Sequence, residues 1–508
     1  MKILFLYFNL NVTIGIPNGV SQLSAILKQA GHKVQLITLC EELGYPLDLL
    51  RLKSDILGYR PDIVAISALD MQMKYVRTVC DNMTTYYNGW VICGGMGPTM
   101  RPDETIMYNG VDAICIGEGD DAFVEWVNSI QNGGDYTSIK NIWVCGEIRG
   151  EPLILQNRLR PLKNLSTLPP EDKEISDLNT ILPLKGWQLE HGRGRGCVNK
   201  CAYCMNHAYL EAYRLYGMQG RCPSVKEYVR SKPIDTTMAE LLTSTHNHPK
   251  IEKIAFVDDD LLLYKDTVEF LRVYKEKINL PFICNIHPHS VTSGKAEALR
   301  IAGCDTVRLG IESGSERVKK EILNRTMSNE SAEKAIKLCH DVGLTTSIYI
   351  MIGLPTETIN EVHQTLRFIA KLQPDIVKLC LFYPFTGTRL YELCEKMDII
   401  DHEKREKLDS FDVYTCLKFS PEHQLFLRKV QVIFDWYINL YLDQDRDFTR
   451  YYEFRIAMVE RMPEEEFLEY VDKSFPIDDM MAGEVWEGLN MYRYTKFMNR
   501  SLAKGGKG

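Results

Sequence analysis

The sequence predicts an α/β protein with three parts: an N-terminal flavodoxin-like (Rossmann-type) parallel sheet, a central partial (β/α)6 TIM-type barrel and a mostly α-helical C-terminal region. Two observations predict this fold class. Short apolar runs rich in β-branched residues alternate with helical stretches in two successive series, as in parallel sheets covered on both faces. Beyond about residue 400 the alternation stops and only helical periodicity continues.

The first series, residues 1–149, predicts a doubly wound domain, whose ligands bind beyond the carboxyl ends of the strands. Its first apolar run is interpreted as a buried strand and not as a signal peptide, because it lacks a long apolar region and a small-residue cleavage site. We expect the strands at 2–8, 33–39, 62–67, 90–94 and 112–116.

A segment rich in Pro, Leu and charge, residues 150–185, is predicted to be a linker, in which Pro169-Pro170 interrupts any helix. The second series, residues 186–399, predicts six β/α units and a functional site on loops at the strand carboxyl ends. Residues 400–508 predict a helical domain. The expected barrel strands are 187–191, 253–258, 281–287, 305–311, 345–352 and 376–383.

The composition of the 508 residues, 45% hydrophobic and 25% charged, is typical of a soluble globular protein. A net charge of −8 argues against a nucleic-acid partner, which usually requires a basic surface. Since no apolar run reaches about 18 residues, we expect no membrane span. The 15 cysteines are scattered and odd in number, which indicates the reducing cytoplasm and not a disulfide scaffold.

Three cysteines stand close together directly after the first predicted barrel strand. Cys197, Cys201 and Cys204 have the spacing C-x3-C-x2-C within HGRGRGCVNKCAYC. Thiolates are the usual ligands of iron–sulfur clusters, and three of them leave one iron of a [4Fe–4S] cluster open. The same spacing, completed by His207, also fits a structural Cys3His zinc site.

This segment resembles the signature of the radical S-adenosylmethionine (SAM) superfamily. The resemblance continues through the barrel in FVDDD (256–260), AGCDTVRLGIESGSERVKKEILNR (302–325), MIGLPTET (351–358) and FYPFTGTRLY (382–391). It implies a [4Fe–4S] cluster on the three cysteines, SAM on the open iron, and an external electron donor of the flavodoxin or ferredoxin type. The residues that the resemblance implies for SAM binding are Tyr203, Asp258, Asp259, Glu312, Ser313, Arg325 and Gly353.

Each of these segments also has a simpler interpretation on its own. An isolated DDD is typical of a solvated acidic turn, Arg325 of a surface charge at a helix end, and Gly353 of a turn that needs no ligand. The ordered series over about 200 residues favours the family, because independent motifs seldom occur by chance in the same order.

The first domain resembles the cobalamin-binding domain that precedes the barrel in one large class of radical SAM enzymes. The resemblance rests on IPNGVSQLSAILKQAGHKV (16–34), RPDIVAISA (60–68), GGMGPTM (94–100) and IGEGDDAF (116–123), although glycine turns occur in any doubly wound domain. The D-x-H-x-x-G motif is absent from the sequence, so no lower cobalt ligand is predicted, and His32 is expected at the surface. The residues implied for cobalamin binding are Gly94, Gly95, Gly97, Pro98, Thr99, Gly117, Glu118 and Gly119.

The resemblance implies that such a chain methylates an unactivated carbon through a 5′-deoxyadenosyl radical and methylcobalamin. The same two domains also serve cyclisations and rearrangements. Two other hypotheses are a non-catalytic cobalamin-binding protein with a zinc site and a radical enzyme whose first domain has lost cobalamin. No motif marks the substrate, whether small molecule or peptide. In the C-terminal region Trp436, Tyr451 and Tyr452 are candidates for substrate contact, with core packing as the default.

Overall fold

The structure is a computed structural model that describes residues 1–148, 151–410, 414–442, 445–488, 493–494 and 500–501. The chain divides into two compact units, one of Met1–Phe282 with Phe385–Glu392 and one of Ile283–Pro384 with Leu393–Gly508. The division between Phe282 and Ile283 falls inside the strand Phe282–Ile286, so it does not mark one of the domain boundaries expected from the sequence. The boundaries expected from the sequence stay predictions.

The first unit contains a seven-stranded sheet in the order β2-β1-β3-β4-β5-β6-β7. The first five strands are parallel, and their order is that of flavodoxin-like folds. All five predicted strands are present. The strands are β1 (Lys2–Phe8), β2 (Lys33–Leu39), β3 (Ile63–Ser67), β4 (Trp90–Gly94), β5 (Ala113–Cys115), β6 (Ile142–Ile148) and β7 (Glu151–Gln156).

Helices cover both faces of this sheet because side chains alternate along each strand. Ile3 and Phe5 of β1 pack into one core with Trp126, and Leu4 and Leu6 pack into the opposite core. The helices of this part are α1 (Asn18–Gln29), α2 (Leu49–Tyr59), α3 (Met73–Met83), α4 (Met96–Met100), α5 (Pro102–Thr105) and α6 (Ala122–Gln131).

Two expectations for this part of the chain are wrong. The predicted linker 150–185 is partly regular structure: β7 pairs antiparallel with β6 and extends the sheet, and α7 (Leu178–Leu184) follows. His32 is buried and not on the surface, because its ring nitrogens lie 3.3 Å from the Met1 amino group and 2.9 Å from Asn128 Oδ1.

The first two predicted barrel strands belong to the same unit and pair in parallel. They are β8 (Gln188–His191) and β11 (Lys253–Phe256), and between them β9 (Gly194–Arg195) pairs antiparallel with β10 (Arg230–Ser231). The helices are α8 (Met205–Tyr216), α9 (Val225–Tyr228), α10 (Ile234–Asn247) and α11 (Thr267–Lys277).

The second unit contains the other four predicted barrel strands, in the order β15-β14-β13-β12. The strands are β12 (Phe282–Ile286), β13 (Cys304–Glu312), β14 (Thr345–Ile352) and β15 (Ile376–Leu381), and β13 to β15 are parallel. The accompanying helices are α12 (Ser293–Ala302), α13 (Asn329–Asp341), α14 (Ile359–Leu372) and α15 (Arg389–Lys396), the last of which begins in the first unit.

The C-terminal part of the second unit is helical, as predicted, apart from a pairing of β16 (Arg493–Tyr494) with β17 (Arg500–Ser501). Trp436 and Tyr452 are buried in its core, which supports packing and not substrate contact for these two side chains. In the described ranges, no helix is long and apolar enough to cross a membrane. The helices are α16 (His402–Lys407), α17 (Pro421–Leu442), α18 (Arg446–Arg461), α19 (Glu464–Lys473) and α20 (Phe475–Gly488).

Candidate functional site

The three clustered cysteines lie on the loop between the end of β8 and the start of α8. This loop runs against the backbone of residues 228–230, and two glycines make that possible. A Cβ atom on Gly194 would overlap the Arg230 carbonyl oxygen, and one on Gly196, whose φ is +96°, would overlap the Tyr228 carbonyl oxygen. The glycines are therefore required by the close approach of two backbone segments.

Of the three cysteines, Cys201 is buried and Cys197 and Cys204 are half-buried, and Cys197 receives donors from the loop itself. The backbone and side-chain nitrogens of Asn199 both lie 3.5 Å from Cys197 Sγ, as donors to the sulfur. Burial raises the pKa of Cys204 to about 12. Because iron binds the thiolate, cluster binding would release these protons, and N–H donors to sulfur are a known means of tuning a cluster.

The two acidic residues after β11 have different roles in the structure. The Asp258 carboxylate is buried and accepts from Arg193 N (3.1 Å), Gly194 N (2.7 Å) and Tyr264 OH (2.9 Å). Asp258 therefore fixes the loop that leads to the cysteines. The Asp259 carboxylate accepts from Asn206 Nδ2 at 2.8 Å and lines a cavity.

This cavity, of about 560 Å³, lies within the first unit. Its size is that of a typical cofactor or substrate pocket. One side is lined by the glycine turns that follow β4 and β5, and the other by the loop 192–196 that leads to Cys197. The apolar side chains that line it include Phe5, Leu23, Ile66, Phe123 and Val257.

The glycine turns bring backbone to the cavity wall. Gly95 (φ +97°) has the Ala68 carbonyl oxygen 2.9 Å from the position of a Cβ, and Gly117 (φ +75°) has the Tyr213 hydroxyl at 2.8 Å. Thr99 Oγ1 joins the two turns, since it donates to Gly95 O at 2.7 Å and accepts from Gly117 N at 3.1 Å. Of the eight residues implied for cobalamin, Gly94, Gly95, Thr99, Gly117, Glu118 and Gly119 line the cavity, and Gly97 and Pro98 are buried in α4.

Glu118 is held by arginines from the other side of the cavity. Arg230 donates to it through two nitrogens at 2.7 and 3.0 Å, and Arg195 Nη1 lies at 3.1 Å. Arg195 also donates to both oxygens of Asp120, at 2.6 and 3.0 Å. Burial alone would raise the pKa of Glu118, but the bonds from Arg230 and the charge of Arg195 lower it. These ion pairs tie the turn after β5 to the cysteine loop.

The remaining residues implied for SAM lie in the second unit. Arg325 is buried and not a surface charge: its Nη2 donates to Gly310 O at 2.7 Å and its Nη1 lies 3.6 Å from Glu312 Oε1. Glu312 ends β13 with φ +65°, next to an irregularity in the pairing with β14. Ser313 is fully buried, with its Oγ 3.2 Å from Thr365 Oγ1.

The turn after β14 is built around a buried carboxyl group. Glu357 Oε2 accepts from Gly353 N at 2.8 Å and from Leu354 N at 3.2 Å. Burial raises the pKa of Glu357 to about 8. A Cβ on Gly353 (φ +74°) would lie 3.3 Å from Leu427 Cδ1, so the turn packs closely on α17.

The zinc alternative depends on His207, in the first turn of α8. Its Nε2 lies 3.9 Å from Glu211 Oε1. Among the described residues, no group of three or more His, Cys, Asp and Glu side chains is placed to hold a single metal ion. Tyr203 lies between Cys201 and Cys204 in the same loop.

Two family models match the chain in the predicted order. The B12 binding domain matches residues 12–127, and the Radical SAM superfamily matches residues 193–369. The chain contains a B12-binding domain followed by a radical SAM domain. The second match covers the cysteine loop, and a radical SAM domain implies a [4Fe–4S] cluster. The two domains imply three cofactors: the cluster, SAM and cobalamin.

Curated relatives and solved structures agree with this. The uncharacterized methyltransferase PH0819 of Pyrococcus horikoshii is 27% identical over 83% of this chain and 88% of its own. The anaerobic magnesium-protoporphyrin IX monomethyl ester cyclase of Rubrivivax gelatinosus is 22% identical over 76% of this chain and 68% of its own.

Two solved structures have the same fold. The methyltransferase TsrM of Kitasatospora setae, bound to tryptophan and a SAM analogue, matches with a TM-score of 0.62 and 17% identity, over 78% of this chain and 76% of its own. The cobalamin-dependent radical enzyme OxsB, bound to aqua-cobalamin and SAM, matches with a TM-score of 0.66 and 14% identity, over 96% of this chain and 73% of its own.

The residues present fit the cofactors. The thiols lie on a glycine-rich loop that also carries N–H donors to sulfur. The glycine turns expose backbone to a cavity whose size is that of a typical cofactor pocket. Sequence reasoning missed Asn199, Asn206, Asp120, Arg195 and Arg230. Arg195 lies just before the cysteine motif and Arg230 begins β10. No spacing in the sequence indicates that both side chains contact the turn after β5.

Proposed function

We propose that the chain is a methyltransferase that transfers a methyl group to an unactivated carbon of a small molecule or peptide. One observation carries the proposal: a single cavity is lined both by the glycine turns of the B12-binding domain and by the loop that leads to the cluster cysteines. A substrate in this cavity would face both cofactors. The likeness to methyltransferases, TsrM and PH0819 among them, supports the same reaction.

When bound, the cluster with SAM supplies a 5′-deoxyadenosyl radical, and cobalamin carries the methyl group. The chain positions these groups and excludes water. Cys197, Cys201 and Cys204 hold the cluster, and Asp258 fixes the loop that carries them. Asp259, oriented by Asn206, would accept hydrogen bonds from the SAM ammonium group, and charge assistance would strengthen these bonds.

The other proposed contacts follow from chemistry of the same kind. Tyr203 would contact the adenine, and Gly353, whose Cβ position is packed against Leu427, would contact it through its backbone. Glu312 would accept from the ribose hydroxyls with Ser313 beside it, and Arg325 would pair with the SAM carboxylate. The backbone at Gly94, Gly95, Gly117 and Gly119 would contact cobalamin, and Thr99, with Gly97 and Pro98 buried in α4, would shape the turns. For Glu118 we propose that it ties the turn after β5 to the cysteine loop instead of binding cobalamin, because arginines already hold its carboxylate.

Electrons come from an external donor of the flavodoxin or ferredoxin type, and the protein works in the cytoplasm. The 15 cysteines and the open cluster loop support a reducing location. Both statements are proposals about the cell and not about the fold.

The proposal is tested without knowledge of the substrate. A methyltransferase must reload its cobalamin from SAM, whereas a cyclase has no such need. Protein that holds cluster and cobalamin is reduced anaerobically and given SAM, and S-adenosylhomocysteine is measured by mass spectrometry. We expect S-adenosylhomocysteine in an amount equal to the bound cobalamin after one turnover.

A matched pair of glycine variants controls this experiment. Gly117→Ala places a Cβ 2.8 Å from the Tyr213 hydroxyl at the cavity wall, whereas Gly133→Ala, also at positive φ (+64°), meets nothing within 4 Å. Only the first should lower cobalamin content and S-adenosylhomocysteine. Formation of 5′-deoxyadenosine with no S-adenosylhomocysteine from fully loaded wild type would contradict methyl transfer and favour a cyclase.

A further inference from the structure

A basic surface surrounds the outer side of the cysteine loop. We define the cluster-loop patch by the exposed or half-exposed basic side chains Lys200, Arg214, Arg221, Lys226 and Arg389. Four exposed apolar side chains lie among them: Val198, Leu215, Met218 and Val225. Exposed apolar residues with a charged rim are typical of a protein interface.

The members of the patch are close in space as well as in sequence. Glu211 of α8 is their common neighbour: Arg214 Nε lies 2.6 Å, Arg389 Nη2 3.6 Å and Cys222 Sγ 3.6 Å from its carboxylate oxygens. Arg221 Nη1 donates to Cys222 O at 3.0 Å. The charge of Lys200 acts on both Cys222 and His207, so the cysteine loop borders the same surface.

The charge of the patch is opposite to that of the whole chain. Its five basic side chains exceed the three carboxylates beside them, Glu211, Glu227 and Glu392, whereas the chain has a net charge of −8. An acidic protein would be repelled by most of the molecule and attracted here. Such a field directs encounter and raises the association rate.

The patch includes part of the cluster loop itself. Val198 and Lys200 stand between Cys197 and Cys201 and are both exposed, while Cys201 is buried. A protein bound at this surface would thus contact the loop that carries the three cysteines, at residues that do not line the cavity.

We propose that the cluster-loop patch is the docking surface for an acidic one-electron carrier protein. The inference rests on the proposed function, which needs an electron from outside. In each cycle one electron passes from the reduced carrier to the cluster: the carrier is oxidised by one electron, the cluster is reduced by one, and no bond forms or breaks. The four exposed apolar side chains favour a protein over a nucleic acid, because protein interfaces bury apolar surface.

The test separates docking from chemistry. The double variant Arg214→Glu/Lys226→Glu reverses two charges of the patch. Arg272→Glu/Lys337→Glu, at two exposed sites in α11 and α13, makes the same change in net charge elsewhere. For each protein we would measure the Kd for a flavodoxin of net negative charge by calorimetry at two salt concentrations. We would also measure 5′-deoxyadenosine formation driven by that flavodoxin or by dithionite.

We expect the patch variant to bind flavodoxin at least about tenfold more weakly and to lose flavodoxin-driven turnover in proportion, while dithionite-driven turnover is unchanged. Salt should weaken binding of wild type and of the control variant, but affect the patch variant less. Equal flavodoxin affinity of the patch variant and wild type would overturn the proposal, as would an equal loss in the control, or loss of binding to an RNA oligonucleotide alone. Failure of dithionite to drive wild type would instead contradict the radical function, and Kd would still test the patch.

Discussion

Cys201→Ala is expected to remove the cluster and with it 5′-deoxyadenosine formation, by more than about 100-fold. Cys201 is the buried central cysteine of the loop, and two remaining thiols leave two irons without protein ligands. The measurements are iron and sulfide per chain after anaerobic reconstitution, and 5′-deoxyadenosine from SAM under dithionite. The protein should stay folded, because the loop is held by Asp258 and not by the thiol.

Two neighbouring variants control this result. Cys222→Ala removes a half-buried thiol that lies beside Glu211 and not in the cysteine loop, and it should retain the full iron content. His207→Ala should also retain it. A cluster that survives in Cys201→Ala, or one that is lost in His207→Ala, would contradict the assignment of the three cysteines as ligands.

Glu118→Gln is expected to lower the free energy of unfolding by about 3 kcal/mol, because removing one partner of a buried ion pair leaves the others uncompensated. The Glu118 side chain is only 10% exposed and binds Arg195 and Arg230 together. Urea denaturation measures the loss. The matched control is Glu269→Gln: the pair of Glu269 with Arg272 is also bidentate but exposed, so solvent screens it and its loss should leave the free energy of unfolding nearly unchanged.

The pH dependence of stability gives a second readout for Glu118. Its folded-state pKa is lowered from 4.5, so its ionised form contributes stability above pH 4.5 that is lost as pH falls through the folded pKa. Wild type should lose stability over this acid range more steeply than Glu118→Gln. Parallel curves for the two proteins would show that the ion pairs do not support the fold.

The regular fold could be predicted where the pattern is local. The five parallel strands of the first unit are continuous apolar runs, so periodicity alone predicts them within one residue at each end. The hairpin of β6 and β7 was missed because β7 lies in a stretch rich in proline and charge that is typical of a linker. It forms because β6 pairs with β5, an interaction that no local pattern contains.

The candidate site follows the same rule: residues that are close together in the sequence could be predicted, and contacts between distant segments could not. Cys197, Cys201 and Cys204 lie within one short loop, and the spacing itself carries their chemistry. The partners of Glu118 could not be predicted, since Arg195 and Arg230 come from distant parts of the chain. Likewise, no sequence pattern distinguishes Asp258 from Asp259. In the structure Asp258 accepts from backbone amides, whereas Asp259 lines the cavity.

The central claim is that cobalamin and the cluster are held next to the same cavity of the first unit. Electron paramagnetic resonance tests it most directly, in protein that holds both cob(II)alamin and the reduced cluster. The account predicts that each signal is broadened or split by the other, compared with the cobalamin signal of the Cys197→Ala/Cys201→Ala/Cys204→Ala variant. Two unperturbed signals that simply add would place the cofactors far apart and contradict the account.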